Sequence, residues 1–462
     1  MSDKAPALLV GNNLAVLVAA DALLRKGRAV TLLTDGKALG GHFAGTRVDG
    51  HDFDIGMVLL ERPAGTGPSP SAIDYRAEVR NDWTRFSPQV AAWMDERMAP
   101  RRVPTPTVQV DGRFGPDYLI ANRLDLLAGT RMSAQPLIDR GDPRHAIHKT
   151  AGPVYDSLSY ADAALANHGA AWHERYIEPF VRKLLDASSS DFLARFHRAG
   201  WVPLYYPETL ASACRGEPVL LPEYPFHMPQ EGLVGTSVAA LADRVVQAAG
   251  CRVLRAPVQS LHLANGAWQV QCDGEVIGAQ RLVLGLAPER CQALLRLPAI
   301  EPQRATSVAL IFALVRSSDI GRALSCHMVV DEDFCTYRVC DQDALAGRDT
   351  EWHRVVLEAS PRCLAARAAL DDGPSVQAVL AEELRSLMHL PSTASVRPLK
   401  SFVARNALVL PTAAAVASHR ATSAALAEVA PGARLTGTLL GYGVASFNDQ
   451  IVQGLQIAQE LE

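Results

Sequence analysis

Basic residues are nowhere massed in this chain of 462 residues, whose formal net charge is -4. A partner held mainly through its phosphates, such as a nucleic acid, is therefore not expected. No apolar run approaches the roughly 20 residues that a membrane span requires; the longest early stretch, Leu14 to Leu24, is interrupted by Asp21. The N-terminus lacks a charged segment followed by a signal-type apolar stretch and a small-residue cleavage site, so a cytoplasmic location is the expectation. Cysteine is sparse. Cys214, Cys251, Cys272, Cys291, Cys326, Cys335, Cys340 and Cys363 are scattered, with no C-x-x-C pair, and reduced core thiols are expected rather than a disulfide framework. Cys335 and Cys340 are poorly spaced for structural zinc, and no metal is expected.

Several catalytic signatures are also missing. The nearest approach to G-x-S-x-G is Gly235-Thr236-Ser237-Val238-Ala239, and His173-Glu174 is followed by Arg175, Tyr176 and Ile177 instead of a second zinc-ligand His. No G-K-[ST] loop occurs, so serine hydrolase, zinc protease and P-loop NTPase are set aside. There is no internal repeat, coiled-coil heptad or low-complexity tail, and the excess of Arg over Lys reads as compositional bias.

What remains is an ordinary globular composition, 48% hydrophobic and 20% charged, long enough for two or three compact units. Ala7 to Val10, Leu14 to Arg25 and Ala29 to Leu33 read as strand, helix and strand with short connections, which is a β-α-β unit opening an α/β domain. Composition shifts to Pro, Gly, Ser and Arg near Pro63, where a first boundary is placed. Trp172, Tyr176, Ile177, Phe180 and Leu184 recur at helical spacing and predict a separate helical layer. Leu233 to Ala248 predicts a helix. The segments 252–254, 258–263, 268–272 and 281–286 read as strands, with Asn265-Gly266 and Asp273-Gly274 as hairpin turns of a three-stranded meander. Val308 to Val315, His327 to Val330, Thr336 to Val339 and Arg354 to Glu358 suggest a further sheet under a helix from Ser375 to Met388. Leu435 to Leu439 reads as a last strand and Asn448 to Leu461 as a last helix. The expected fold class is α/β: a Rossmann-like domain assembled from residues 1–62, 222–300 and 425–462, with an α+β substrate domain from 63–221 and 301–424.

The turn after the first strand is Gly11-Asn12-Asn13-Leu14-Ala15-Val16. A dinucleotide site calls for G-x-G-x-x-G there: one Gly for the turn, the second for approach of the pyrophosphate, the third for helix packing. Only Gly11 is in place. Asn13 tolerates a left-handed conformation, and the helix N-terminus still favours an anion; a turn without any nucleotide is an equal alternative. The ribose-binding acid falls at Thr34, with Asp35 beside it either taking that role or merely opening a surface turn with Gly36.

Downstream, Leu39-Gly40-Gly41-His42, Gly50, Phe53-Asp54-Ile55-Gly56, Met228-Pro229-Gln230-Glu231-Gly232-Leu233, Ala256-Pro257-Val258, Leu435-Thr436-Gly437-Thr438, Gly441-Tyr442-Gly443 and Ser446-Phe447-Asn448-Asp449 follow in order. This series resembles the flavoprotein superfamily of amine oxidases, protoporphyrinogen oxidase, phytoene desaturases and UDP-galactopyranose mutase. It covers the first sixty residues, about 225–290 and the last thirty. The resemblance implies FAD as cofactor. Gly11, Asn12 and Asn13 would lie at its pyrophosphate, Gly40 and Gly41 would pass close to it, and His42 would sit beside the isoalloxazine. Gly56 would end a strand near the flavin, backbone atoms of Val258 would meet the adenine, and Gly437-Thr438 would stand for the family's Gly-Asp. Backbone N–H groups around Phe447 and Asn448 would face the pyrimidine oxygen. Asn13, Val16, Thr34 and Thr438 depart from the pattern, all in the ADP or ribitol half.

For a small-molecule substrate the candidate contacts are His42, His227, Arg338 and Tyr442. His42 is the candidate catalytic base or a ring packed on the cofactor, and Arg338 a bidentate anchor for an acid or a member of an ordinary ion pair. The aromatic and proline-rich stretch Arg198 to Leu210 either walls a pocket or links domains. The leading expectation is an FAD-dependent oxidoreductase of amine-oxidase type, with hydride transfer from a small amine, amino acid or biosynthetic intermediate to flavin N5. The alternatives are a mutase-like non-redox flavoenzyme on a sugar nucleotide, and a flavin-free descendant acting as a binding subunit or non-redox enzyme. The resemblance leaves room for a homodimer.

Overall fold

The first apolar run folds as strand β1 (Ala7–Gly11), the Ala/Leu/Val stretch as helix α1 (Leu14–Arg25) and the second run as β2 (Val30–Thr34). The computed structural model describes residues 6–62, 88–104, 106–116, 158–194, 226–230, 232–297, 304–437 and 446–462. Every residue of α1 from Leu14 to Leu23 except Ala22 is buried. A helix apolar on all sides must be covered on all sides, and its one acid, Asp21, is met by Arg97 Nε at 2.9 Å.

Helix α2 (Val234–Gln247) leads into β3 (Cys251–Arg255). The meander is β4 (Val258–Ala264), β5 (Ala267–Cys272) and β6 (Glu275–Ala279), with the two expected turns at positive φ. Strand β6 escaped the sequence reading because it is mostly exposed and carries little apolar alternation. The next apolar run is β7 (Leu282–Gly285), which leaves the meander and pairs in parallel with β1.

The second sheet holds β8 (Ala305–Arg316), β9 (Cys326–Val329), β10 (Thr336–Asp341) and β11 (Trp352–Ala359). Helix α3 (Gly373–Leu387) buries Val376, Leu380, Leu384 and Leu387 against it. With β12 (Val396–Val409) at one edge, the order is β12-β8-β11-β10-β9, followed by Thr107–Val110 and Arg113–Pro116. Those last two strands come from the mixed region after the Pro-rich stretch, where no strand was expected. The predicted helical layer is present as Tyr160–His168, Ala170–Trp172 and Glu178–Leu185, with a π-helical turn at His173–Ile177. Its buried Trp172, Tyr176, Ile177 and Phe180 pack on Val108, Met328 and Tyr337 of the sheet.

The chain returns to the first sheet with β13 (Ala433–Leu435) and ends in α4 (Phe447–Glu460). The last strand thus ends where it was expected to begin. Strand order in the first sheet is β3-β2-β1-β7-β13, all parallel, so this is a Rossmann-like α/β fold drawn from separated segments, beside a second, α+β part. Helices α1 and α4 meet at backbone distance. A Cβ on Gly454 would fall 2.6 Å from Val18 Cβ and 2.7 Å from the Ala15 carbonyl oxygen, so only glycine fits. Among the described residues no helix is long and apolar enough to cross a membrane, and no cluster of His, Cys, Asp or Glu is placed to hold a metal ion.

Candidate functional site

The carboxyl ends of β1, β7 and β13 converge on the first turn of α1, where an open α/β sheet places its ligand. Gly11 has φ +117, and a Cβ there would meet the Gly285 carbonyl oxygen at 2.3 Å. Asn13 is the N-cap of α1, with φ -67 and ψ 164. Its Oδ1 accepts from Val16 N at 2.9 Å, while its Nδ2 donates to the carbonyls of Thr436 at 3.3 Å and Gly285 at 3.4 Å. The side chain thereby bridges α1, β7 and the exit of β13. From α4, Gln450 Oε1 accepts from Ala15 N at 3.3 Å. One helical turn on, Gln453 Oε1 accepts from Gly437 N at 3.0 Å, and its Nε2 donates to the Gly437 carbonyl at 3.1 Å. Val16, in place of the third glycine, is accommodated from the opposite side: a Cβ on Gly285 would lie 2.5 Å from Val16 Cγ2.

The rest of the ADP half is engaged in the same manner. Thr34 is buried, and its Oγ1 accepts from Gly36 N at 3.0 Å. Asp35 pairs with Lys37 at 2.8 Å, and the Lys37 side-chain hydrogen bond holds its carboxyl below the ordinary value. The Val258 carbonyl accepts from Arg290 Nη2 at 2.7 Å. A pyrophosphate at a helix N-terminus needs the first-turn N–H groups and close backbone approach at the second glycine. Here the N–H groups of Ala15 and Val16 already have acceptors, and Asn13 carries a side chain at the approach. The residues present do not fit the ADP half of FAD.

At the other end, Gly40 has φ +101 and would place a Cβ 2.3 Å from Val238 Cγ1, so the Gly40-Gly41 turn lies flat on α2. Gly41 backs onto Asn13 Cα, and Gly40 N donates to the Asn12 carbonyl at 2.7 Å. His42 follows in a 3-10 turn. The residue as a whole is exposed, yet the protein around its imidazole pushes it down to about 4, so it is neutral at pH 7. It lies against Phe43, ring centroids 3.8 Å apart, and Phe43 meets Phe447 edge-on at 5.2 Å. Asn448 is fully buried at the start of α4; its Nδ2 donates to the Glu61 carbonyl at 2.7 Å and its Oδ1 accepts from Glu61 N at 3.0 Å.

Gly56, φ +76, sits where a Cβ would meet Glu358 Oε1 at 2.8 Å, and the same oxygen accepts from Met57 N at 2.8 Å. Glu358 also takes both arms of Arg338, Nε at 2.7 Å and Nη2 in a second short contact. Burial opposes the Arg338 charge and Glu358 overcomes that cost, so the guanidinium stays protonated and engaged. His227 is buried in the central strand of a small sheet, opposite Leu60 and Arg102. Thr438, Tyr442 and the Arg198 to Leu210 stretch lie outside the described residues.

Gln450, Gln453, Arg290 and Glu358 were not singled out from the sequence, nor was Asp54. Its buried carboxylate accepts from Val234 N at 3.1 Å and Gly235 N at 2.6 Å, anchoring the start of α2. Burial pushes it up to about 6, opposed by those two hydrogen bonds. The spacing of Gln450 and Gln453, one turn apart on one helix face, was the one local signal available.

No family model matches the chain, and no curated protein does so by sequence. Solved structures do. The chain is similar to a proposed protoporphyrinogen oxidase from Exiguobacterium sp. 255-15, with 16% identity and TM-score 0.64 over 100% of this chain and 99% of the other. It is similar to reduced UDP-galactopyranose mutase, with 13% identity and TM-score 0.71 over 99% of this chain and 95% of the other. Putrescine oxidase with bound putrescine matches at 15% identity and TM-score 0.63 over 99% of both chains. The fold is therefore that of the oxidase and mutase flavoproteins whose motifs the sequence resembles.

Proposed function

We propose that the chain is a flavin-free member of this fold, a binding subunit or non-redox enzyme that takes a small molecule beside His42. The observation that carries the reading is the engagement of the α1 N-terminus by Asn13 and Gln450, which fills the position a dinucleotide needs. In this reading the neutral, accessible His42 accepts or passes on a proton at an imidazole nitrogen, with Phe43 fixing its ring. Arg338 serves as the buried partner of Glu358 that holds the Gly56 turn.

A second reading, an FAD-dependent oxidoreductase acting on a small amine, amino acid or biosynthetic intermediate, is supported by the likeness of fold and by Gly437, which keeps a positive φ of +133. It requires Asn13 and Gln450 to release their present partners. Equilibrium dialysis against FAD and against ADP separates the two. The flavin-free reading predicts that neither is retained, whereas retention of FAD in stoichiometric amount supports the oxidoreductase.

A further inference from the structure

Strands β9 and β10 run antiparallel with Cys326 directly opposite Cys340. The next opposed pair, Ser325 and Asp341, is joined by a backbone bond from Asp341 N to the Ser325 carbonyl at 2.9 Å. Hydrogen-bonded and non-hydrogen-bonded pairs alternate along such a ladder, so Cys326 and Cys340 form a non-hydrogen-bonded pair, the closer of the two types, with Cα atoms about 4.5 Å apart. That spacing lies inside the range a disulfide spans. Both side chains are buried on the same face, in the core shared with Leu345 and Val58, and Cys326 Sγ lies against Met57 Sδ. The facing Cys326 side chain, with burial behind it, holds the Cys340 thiol well above the ordinary range.

We propose that Cys326 and Cys340 form a reversible cross-strand disulfide, a thiol-modification site at the seam between the second sheet and the Gly56–Met57 segment. With a peroxide as oxidant, one sulfur attacks a peroxide oxygen, the O–O bond breaks, and a sulfenic acid and one water result. The second sulfur then forms the S–S bond and displaces the hydroxyl, which leaves with that thiol's proton as a second water. Two thiols are oxidised and one peroxide is reduced. A small-molecule thiol returns the two electrons through a mixed disulfide.

The test is a peptide map of the purified full chain after hydrogen peroxide, alkylation of the remaining thiols and digestion. The partly exposed Cys251 and Cys363 report that the oxidant was active. The expected result is a cross-linked peptide pair joining Cys326 to Cys340, abolished by prior dithiothreitol and absent in Cys340→Ser. Recovery of both cysteines alkylated while Cys251 is oxidised would overturn the proposal. So would a Cys326 sulfinic acid beside an alkylated Cys340. The decisive outcome is read on the native chain, so it stands even where the serine variant folds poorly.

Discussion

Replacing Asn13 by Gly and Gln450 by Ala should convert a chain indifferent to FAD into one stabilised by it. Glycine is itself a tolerable N-cap, so losing the Asn13 cap costs a few tenths of a kcal/mol. Losing its two long bonds to Thr436 and Gly285 costs about 1 kcal/mol together. Removing Gln450 leaves the Ala15 N–H without its acceptor, worth about 1 to 3 kcal/mol. The double variant therefore loses about 2 to 4 kcal/mol. The native chain must give up the same amount before a pyrophosphate can enter, which weakens binding by roughly 30- to 1,000-fold. In the variant that cost is already met, and FAD at a hundred times its Kd restores about 2.7 kcal/mol. Thermal unfolding with and without FAD reads both effects. A chain of this length unfolds in more than one step, so the first transition is the one to follow. The variant should show a lower first transition and, unlike the native chain, an upward shift with FAD. An equal FAD shift in both proteins would mean that the native amides are no obstacle to the pyrophosphate.

Three other outcomes follow from the packing and the buried charges. Gly454→Ala should cost about 1 to 3 kcal/mol by separating α1 from α4; an unchanged denaturant midpoint would mean that the contact yields freely. Glu358→Gln should cost about 3 to 5 kcal/mol, since it leaves the Arg338 charge buried without its counter-ion, and adding Arg338→Met should recover much of that loss. Asp54 is raised from 3.8 to about 6 in the folded chain, so its contribution is fully present below about pH 4 and is lost as pH rises through about 6. Native stability measured relative to Asp54→Asn should accordingly fall by about 2 kcal/mol between pH 4 and pH 7, and a flat difference would contradict the assignment.

The opening β-α-β unit was legible because each apolar run is bounded by a short turn and the helix length matches a crossover. The meander announced itself through Asn265-Gly266 and Asp273-Gly274, which both occupy positive φ. The departures at Asn13, Val16 and Thr34 were visible as residue types, but their consequences were not. What closes the α1 N-terminus is Gln450, 435 positions along the chain from Ala15, and what admits Val16 is the missing side chain of Gly285. Such partners are chosen by tertiary packing and leave no local periodicity. For Arg338 the sequence left an anchor for an acid and an ordinary ion pair both open; the partner that decides between them, Glu358, lies twenty residues on and holds both of its arms.

The most direct test of the central claim is a visible absorption spectrum of the purified chain, recorded before and after incubation with FAD and desalting. A flavin-free chain is colourless in both cases, with all added flavin passing into the small-molecule fraction. Flavin bands that persist with the protein after desalting would contradict it and return the chain to the oxidoreductases whose fold it shares.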